Sequence, residues 1–458
     1  MSAGGVAAGA LPRPQDPQNT LLAVADPGYG SRRAWFLVFA LMCSNVVGQV
    51  DRFAMTLLVT PMQHDLGLND TQTGLIGGLV TGLFFALAGL PLARLADQFN
   101  RTRLVIIGLG VWSLMTAAQG LTIGFWTLCL ARLFLTVGEA SLGPSSNSLL
   151  GNVFPRGRLA RPLSVVATGS SLGNAAASAL VALFLFVAPY VAPPLSFGGA
   201  AMAPWRVVMI GLGLVGLVPM LLLALAGEPV RPAQKGEKPD FRTFVRYVRA
   251  RWRAYLPCYL GYALFVLPFV ALSFWLPTAF ERRHGLAPTV TGVWLGIGYL
   301  IAAAPGTIFG GWLADRLERG GRADGKLQVL MIATVGAAGA TIVSQLLADP
   351  KIAMGFVWLA MACAAMGLPP VLAAVQALTV DRFRGQASAV LYLLIFIVAF
   401  MGIPVAGALT DDVFKDRNSI NLALVALTLV FGTASFVLVW FGRRNYVAGV
   451  AAFDPHGR

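Results

Sequence analysis

The scarcest commodity in this sequence is charge. Only 12% of its 458 residues are Asp, Glu, Lys or Arg, while 57% are hydrophobic and mean hydropathy is +0.72. A soluble domain carries about a quarter charged residues, so a soluble globular fold is excluded. There are three histidines (His64, His284, His456), which fall at loops or in the tail and form no metal-binding spacing. The four cysteines (Cys43, Cys129, Cys258, Cys363) lie within apolar stretches and read as small core hydrophobes. No metal or cofactor is expected. No Walker sequence is present, which argues against an ATP-driven pump. No selectivity filter or pore-lining charge ring stands out, and nothing points to an enzyme. Residues 1–30 lack the basic start and apolar core of a signal peptide, and their Gly, Ala and Pro content reads as a disordered tail.

What the sequence has in abundance is apolar runs of about 20 residues, enough to cross roughly 30 Å of hydrocarbon. Twelve spans are predicted, at 33–60, 72–94, 103–123, 125–151, 160–189, 205–226, 254–281, 289–313, 327–348, 352–378, 386–410 and 419–442. With the N-terminus inside, cytoplasmic segments hold 26 of the 34 Lys and Arg and outer segments hold 6. That bias places both termini in the cytoplasm. The net charge of +14 therefore marks topology and anionic lipid headgroups, and nucleic acid is not an expected partner. The pattern implies an all-α multi-pass membrane protein, of the bacterial inner membrane and monomeric. It divides into a tail (1–30), a six-helix bundle (31–227), a linker (228–253), a second six-helix bundle (254–445) and a tail (446–458). Within the linker, Phe241, Phe244, Val245, Val248 and Trp252 share one helical face opposite arginines, the pattern of a helix lying on the membrane surface.

Four ionisable groups fall inside spans: Asp51 and Arg52 on span one, Arg132 and Glu139 on span four. Each costs roughly 2.5–3.5 kcal/mol on insertion scales, so each needs a partner or a function. At 1.5 Å rise per residue, Asp51 lies roughly 13 Å and Arg132 about 10 Å below the outer ends of their spans. Glu139 lies two turns further in, on the same face as Arg132. Adjacent helical residues diverge by about 100°, so Asp51 and Arg52 point different ways. One arrangement pairs Asp51 with Arg132 and leaves Arg52 or Glu139 facing a cavity. Burial and guanidinium neighbours act on such carboxylates in opposite senses, which makes Asp51 and Glu139 candidates for proton uptake. Arg52 and Arg132 are candidates for a substrate headgroup or for ion pairing. The alternative is that all four are structural pairs holding spans one and four together. Asn147, Asn174, Gln119, Tyr299, Gln376, Tyr392, Phe269 and Trp275 are further residues that could line a path between the bundles, or simply bond or pack against neighbouring helices.

The two halves share a pattern. Leu95-Ala96-Asp97 after span two recurs as Leu313-Ala314-Asp315 after span eight, and Phe154-Pro155-Arg156-Gly157 echoes Arg382-Phe383-Arg384-Gly385. Repeated halves are the hallmark of transporters that rock one bundle against another. The G-x-L-A-D-R pattern resembles the signature loop of the major facilitator superfamily, although Ala93 and Asn100 stand where that family usually has Gly. The resemblance implies a cytoplasmic latch built from Asp97, Arg101, Asp315, Arg316, Arg156 and Arg384. The Asp-Arg pair of span one, R-L-F-L-T-V-G-E-A over 132–140 and the following G-P resemble the Spinster branch, over most of the N-terminal half. That resemblance implies a proton-linked transporter of lysophospholipids or sphingoid lipids such as sphingosine-1-phosphate. Alternatives are a proton-driven drug exporter, an organic-anion transporter, or an uncoupled lipid-binding or scrambling protein.

Overall fold

The computed structural model describes residues 31–154, 159–191, 196–197, 200–229 and 241–452. The expected tail 1–30, much of the linker, Arg156, the end of the C-terminal tail and the side chain of Asp97 lie outside the described residues. Nearly everything described is helical, apart from one antiparallel pair, Ser196–Phe197 with Ala200–Ala201, between spans five and six. Among the described residues eleven helices are long and apolar enough to cross a membrane. The twelfth, span four, breaks at Ala140 and Ser141 into Phe125–Glu139 and Leu142–Val153.

The spans follow the apolar runs closely because each can satisfy its backbone only within itself. They begin where the sequence offers caps. The Asn69 side chain accepts from Gln72 N at 2.7 Å, the Asn100 side chain accepts from Arg103 N at 2.7 Å, and Pro204, Pro288 and Pro350 open spans six, eight and ten. Gly67 and Gly285 end helices with left-handed φ of 65° and 66°, which glycine adopts without strain. Large apolar side chains such as Trp126, Phe186, Ile308 and Phe441 point outward, as a lipid-facing surface requires. Three spans relax locally into π-helix, at Leu75–Val80, Tyr299–Ala303 and Leu409–Phe414. Such bulges often sit at functional sites.

The linker helix is Phe241–Ala250. Its apolar face is divided between two surroundings. Phe244 is buried against Phe383 at 5.8 Å between ring centroids, and Tyr247 Oη donates to Leu378 O at 2.8 Å. Phe241 and Val245 remain exposed, and Trp252, expected on the same face, instead opens the next helix, Trp252–His284, where it is also exposed. The helix is thus docked on the loop joining spans ten and eleven as well as presenting an apolar edge.

The first six spans meet the last six along two seams. Span five packs on span eight through glycines: a Cβ on Gly292 would lie 2.4 Å from Ser178 Oγ. Span two packs on span eleven in the same way, a Cβ on Gly78 falling 2.5 Å from Phe400 O. Without side chains at these positions the backbones approach closely, which is the usual currency of helix association in lipid.

Candidate functional site

Close packing inside the first bundle brings the four intramembrane charges together. Gly138 of span four sits against span three, where a Cβ would fall 2.6 Å from Gly108 O, and Gly48 of span one sits against the Trp112 ring. Asp51, 3% exposed, is thereby held 3.3 Å from the Arg132 guanidinium and accepts from Thr116 Oγ1 at 3.0 Å. Arg132 Nε reaches Thr81 Oγ1 at 3.4 Å, so this pair ties spans one, two, three and four. One turn of viewpoint away, Arg52 Nη2 lies 2.5 Å from Glu139 Oε1. The sequence arithmetic left open which of Arg52 and Glu139 would face a cavity. In the structure they pair with each other, and Arg52 is the more exposed, 27% against 7%.

This second pair is incompletely satisfied. Among the described residues, Glu139 Oε2 and Arg52 Nε are buried without hydrogen-bond partners. A buried carboxylate oxygen with no donor is costly unless it takes a proton or a ligand. Arg52 also lies over the Phe85 ring at 5.5 Å, and Phe85 stacks on Phe396 of the other bundle at 4.1 Å, which in turn stacks on Phe400.

Arg52 and Arg132 open onto a cavity of about 220 Å³ between the bundles. One wall belongs to the first bundle and is mostly polar: Gln49, Arg52, Thr56, Thr81, Arg132 and Asn174, with Phe53 and Gly77 among them. The facing wall, from spans seven, eight and eleven, is mostly apolar and aromatic: Phe269, Val270, Phe274, Phe400 and Ile403, with Ser273 and Tyr299 as its polar groups. Tyr299 enters from the π-helical turn of span eight.

Of the suggested path residues, Asn174, Phe269 and Tyr299 line this cavity, and the others do not. Trp275 is fully buried within the second bundle, its Nε1 donating to Ile403 O at 3.0 Å. Gln119 is fully buried at the end of span three, its amide unpaired among the described residues. Asn147, Gln376 and Tyr392 are exposed outside the cavity lining. Polarity within an apolar run marks a residue as unusual but does not give its direction.

The latch residues are dispersed. Arg101 is buried and holds Glu228, Nε to Oε1 2.9 Å, while Thr102 N donates to the same carboxylate at 2.8 Å. Burial pushes the Glu228 carboxyl up, but hydrogen bonds from Thr102 and Arg101 outweigh it and hold the group below its ordinary value. Arg101 therefore joins spans three and six. Asp315 and Arg316 are exposed, Arg316 lying over Trp312 at 5.2 Å, and Asp315 has no ion pair among the described residues. Arg384 is likewise exposed.

Sequence reasoning missed a cluster at the opposite end, where spans one and two are joined. Arg282 of span seven makes a two-pronged contact with Asp70, 2.7 Å on each oxygen, and donates to Gln63 Oε1 at 3.0 Å and to Arg417 O at 2.7 Å. Asp70 is wholly buried. Asp411 of span eleven accepts from Thr71 N and Oγ1, both at 2.7 Å, and Thr60 donates to Glu281. The halves are thus clasped at this Asp70 end, while at the other end Asp315 makes no ion pair among the described residues. The only sequence signal was charge of opposite sign at the span ends, which reads by default as hydrated surface.

The family model of the Major Facilitator Superfamily matches residues 35–403. An MFS-type efflux pump of Mycolicibacterium smegmatis is 26% identical over 426 residues, 91% of this chain and 94% of that protein. Protein spinster homolog 1 of Homo sapiens is 30% identical over 149 residues, 31% of this chain and 28% of that protein. Among solved structures, a bacterial homologue of the human lysosomal transporter Spinster, inward-facing and unoccupied, superposes with a TM-score of 0.75 at 21% identity, covering 93% of this chain and 98% of that one.

Proposed function

The chain belongs to the Major Facilitator Superfamily and is a secondary transporter, and from that premise we propose that it moves an amphipathic anionic lipid, a lysophospholipid or sphingoid lipid, with proton linkage. The observation that carries this reading is the two-faced cavity: a guanidinium wall in one bundle opposite an aromatic wall in the other. Such a site suits a ligand with an anionic head and an apolar tail. The resemblance to Spinster proteins points the same way.

The structure corresponds to one state of an alternating cycle. We take the Asp70 end, clasped by Arg282, as the closed side and the Asp315 end, which the charge bias assigns to the cytoplasm, as the side from which the cavity is served. In this reading the Arg52–Glu139 pair is the coupling element. A proton on Glu139 neutralises the carboxylate and frees Arg52 to bind an anionic head. Loss of the proton restores the pair and competes the head away. Asp51, tied to Arg132 and Thr116, holds Arg132 at the cavity wall. The transition then breaks the Asp70–Arg282 clasp and engages Asp315, Arg316, Arg384, Asp97 and Arg156 at the other end. Gly74, Gly78 and Gly407 allow spans two and eleven to slide without side-chain collision.

The test is flux of a labelled lysolipid in proteoliposomes with and without a pH gradient. Gradient-driven uptake that disappears in Glu139→Gln supports the reading, and equal flux without a gradient and in the variant defeats it. A second reading, a proton-driven exporter of apolar drugs, is favoured by the likeness to the mycobacterial efflux pump. Competition by neutral or cationic drugs, with Arg52→Gln indifferent, would select it.

A further inference from the structure

A second groove lies away from the central cavity, on the lipid-facing side of the second bundle. It runs between spans nine and twelve and has a volume of about 660 Å³. Its floor is apolar, formed by Met331, Ile332, Val335, Phe436 and Trp440. Ile332 and Val335 are 52% and 60% exposed, so the groove opens sideways onto hydrocarbon. Phe436 and Trp440 stack along its length, 6.0 Å between centroids at 19°.

All of its charge sits at the Asp315 end. The Arg443 guanidinium lies 3.8 Å above the Trp440 ring, and its Nη1 is 3.8 Å from Asp324, the outer limit for an ion pair. Arg322 Nη1 donates to Gln328 Oε1 at 2.8 Å, and Gln328 Nε2 donates to Asp324 at 2.7 Å. Gln328 thus fixes Arg322 and Asp324 as one unit. Among the described residues two guanidinium groups face one carboxylate, leaving an excess of positive charge and most of their donors without a partner. From Arg443 down to Phe436 is seven residues, about 10 Å of helix, and the groove carries no charge below Arg443.

From this layout we infer that the groove is a binding site for an anionic phospholipid of the surrounding bilayer. Its phosphate lies between Arg322 and Arg443, and one acyl chain lies along Val335, Phe436 and Trp440. Guanidinium groups match phosphate oxygens in pairs, and arginine is less hydrated than lysine, which suits a site at the membrane interface. A soluble anion would leave the apolar floor uncovered. A partner helix would leave the two arginines without a partner, since they crowd at one end. Binding here would brace spans nine and twelve, which belong to the bundle that must move as a unit, without entering the cargo cavity.

The experiment is native mass spectrometry of the delipidated full-length chain titrated with phosphatidylglycerol or phosphatidylcholine of the same two acyl chains. Wild type should retain one phosphatidylglycerol per chain, about tenfold more tightly than phosphatidylcholine. Arg322→Gln with Arg443→Gln should remove that preference, and Arg322→Gln alone, at an exposed position, should reduce it severalfold. Val335→Trp should fill the groove and lose the bound lipid with the arginines intact. Arg52→Gln, in the cargo cavity, should leave retention unchanged. Absence of the preference in wild type, or its persistence in both the double variant and Val335→Trp, overturns the assignment. Loss in Arg52→Gln alone would move the lipid to the cargo cavity and overturn it as well.

Discussion

Removing the Arg282 guanidinium should unfasten the Asp70 end. Arg282→Gln deletes both contacts to Asp70, the contact to Gln63 and that to Arg417 O. Asp70 would stay fully buried in the clasped state with Gln63 Nε2, at 2.8 Å, as its remaining side-chain donor. Breaking a buried ion pair by removing one partner costs about 3–5 kcal/mol. In an opened state both groups meet water, so most of that cost falls on the clasped state alone. Taking about 3 kcal/mol, the ratio of clasped to opened molecules falls by roughly two orders of magnitude. A protein almost wholly clasped at this end should then populate the opposite state strongly. Spin labels at the exposed positions His64 and Val413, one on each half, would report the change as a second, longer distance peak. Arg282→Lys should give an intermediate result, because an ammonium keeps the charge but not the two-pronged geometry. An unchanged distance distribution in Arg282→Gln, in a protein that still folds, would refute the clasp.

Three other outcomes follow from the same geometry. Gly78→Ala places a Cβ 2.5 Å from Phe400 O and should push span two from span eleven, shifting the same label pair outward without touching any charge; an unaltered distribution would show that the seam yields elsewhere. Glu228 carries a depressed pKa, so its contribution to stability is present above the ordinary carboxylate range and lost as pH falls through the folded-state value. Glu228→Gln should lower the thermal midpoint at pH 7, by an amount equivalent to about 1.5 kcal/mol, and the difference from wild type should vanish in acid; a pH-independent gap would place the effect in packing. Arg52→Gln should weaken equilibrium binding of an anionic lysolipid by tenfold or more while sparing a neutral analogue of the same chain length; equal loss of both would make Arg52 a structural residue.

Much of the fold could be read from residues because lipid imposes a simple rule. Each apolar run had to be a helix, and polar caps such as Asn69, Asn100 and Asp349 sat where helices begin. The break in span four was legible but not used: Pro144 has no N–H for the Ala140 carbonyl four residues before it, and the helix is interrupted at Ala140 and Ser141. Asp51, Arg52, Arg132 and Glu139 could be singled out because charge in hydrocarbon is conspicuous, and depth arithmetic brought Asp51 and Arg132 to one level, with Glu139 two turns deeper. Direction was harder. Whether a polar residue turns inward depends on helix rotation, so Asn174 and Tyr299 line the cavity while Asn147 and Gln376 do not. Charges at span ends were least legible: Arg101 joins Glu228 and Arg282 joins Asp70 across distances in sequence that no local pattern encodes.

At the centre of the proposed mechanism, the Glu139 carboxylate and an anionic lipid head compete for Arg52, so that a proton on Glu139 favours lipid binding. This competition is tested most directly by equilibrium binding of a labelled anionic lysolipid to purified wild type and Glu139→Gln across pH 5 to 8. Wild type should bind more tightly as pH falls, and Glu139→Gln, with its neutral side chain unable to hold Arg52 as a salt bridge, should bind tightly at every pH. A variant that keeps the wild-type pH dependence, or a wild type whose affinity does not change with pH, would contradict the account.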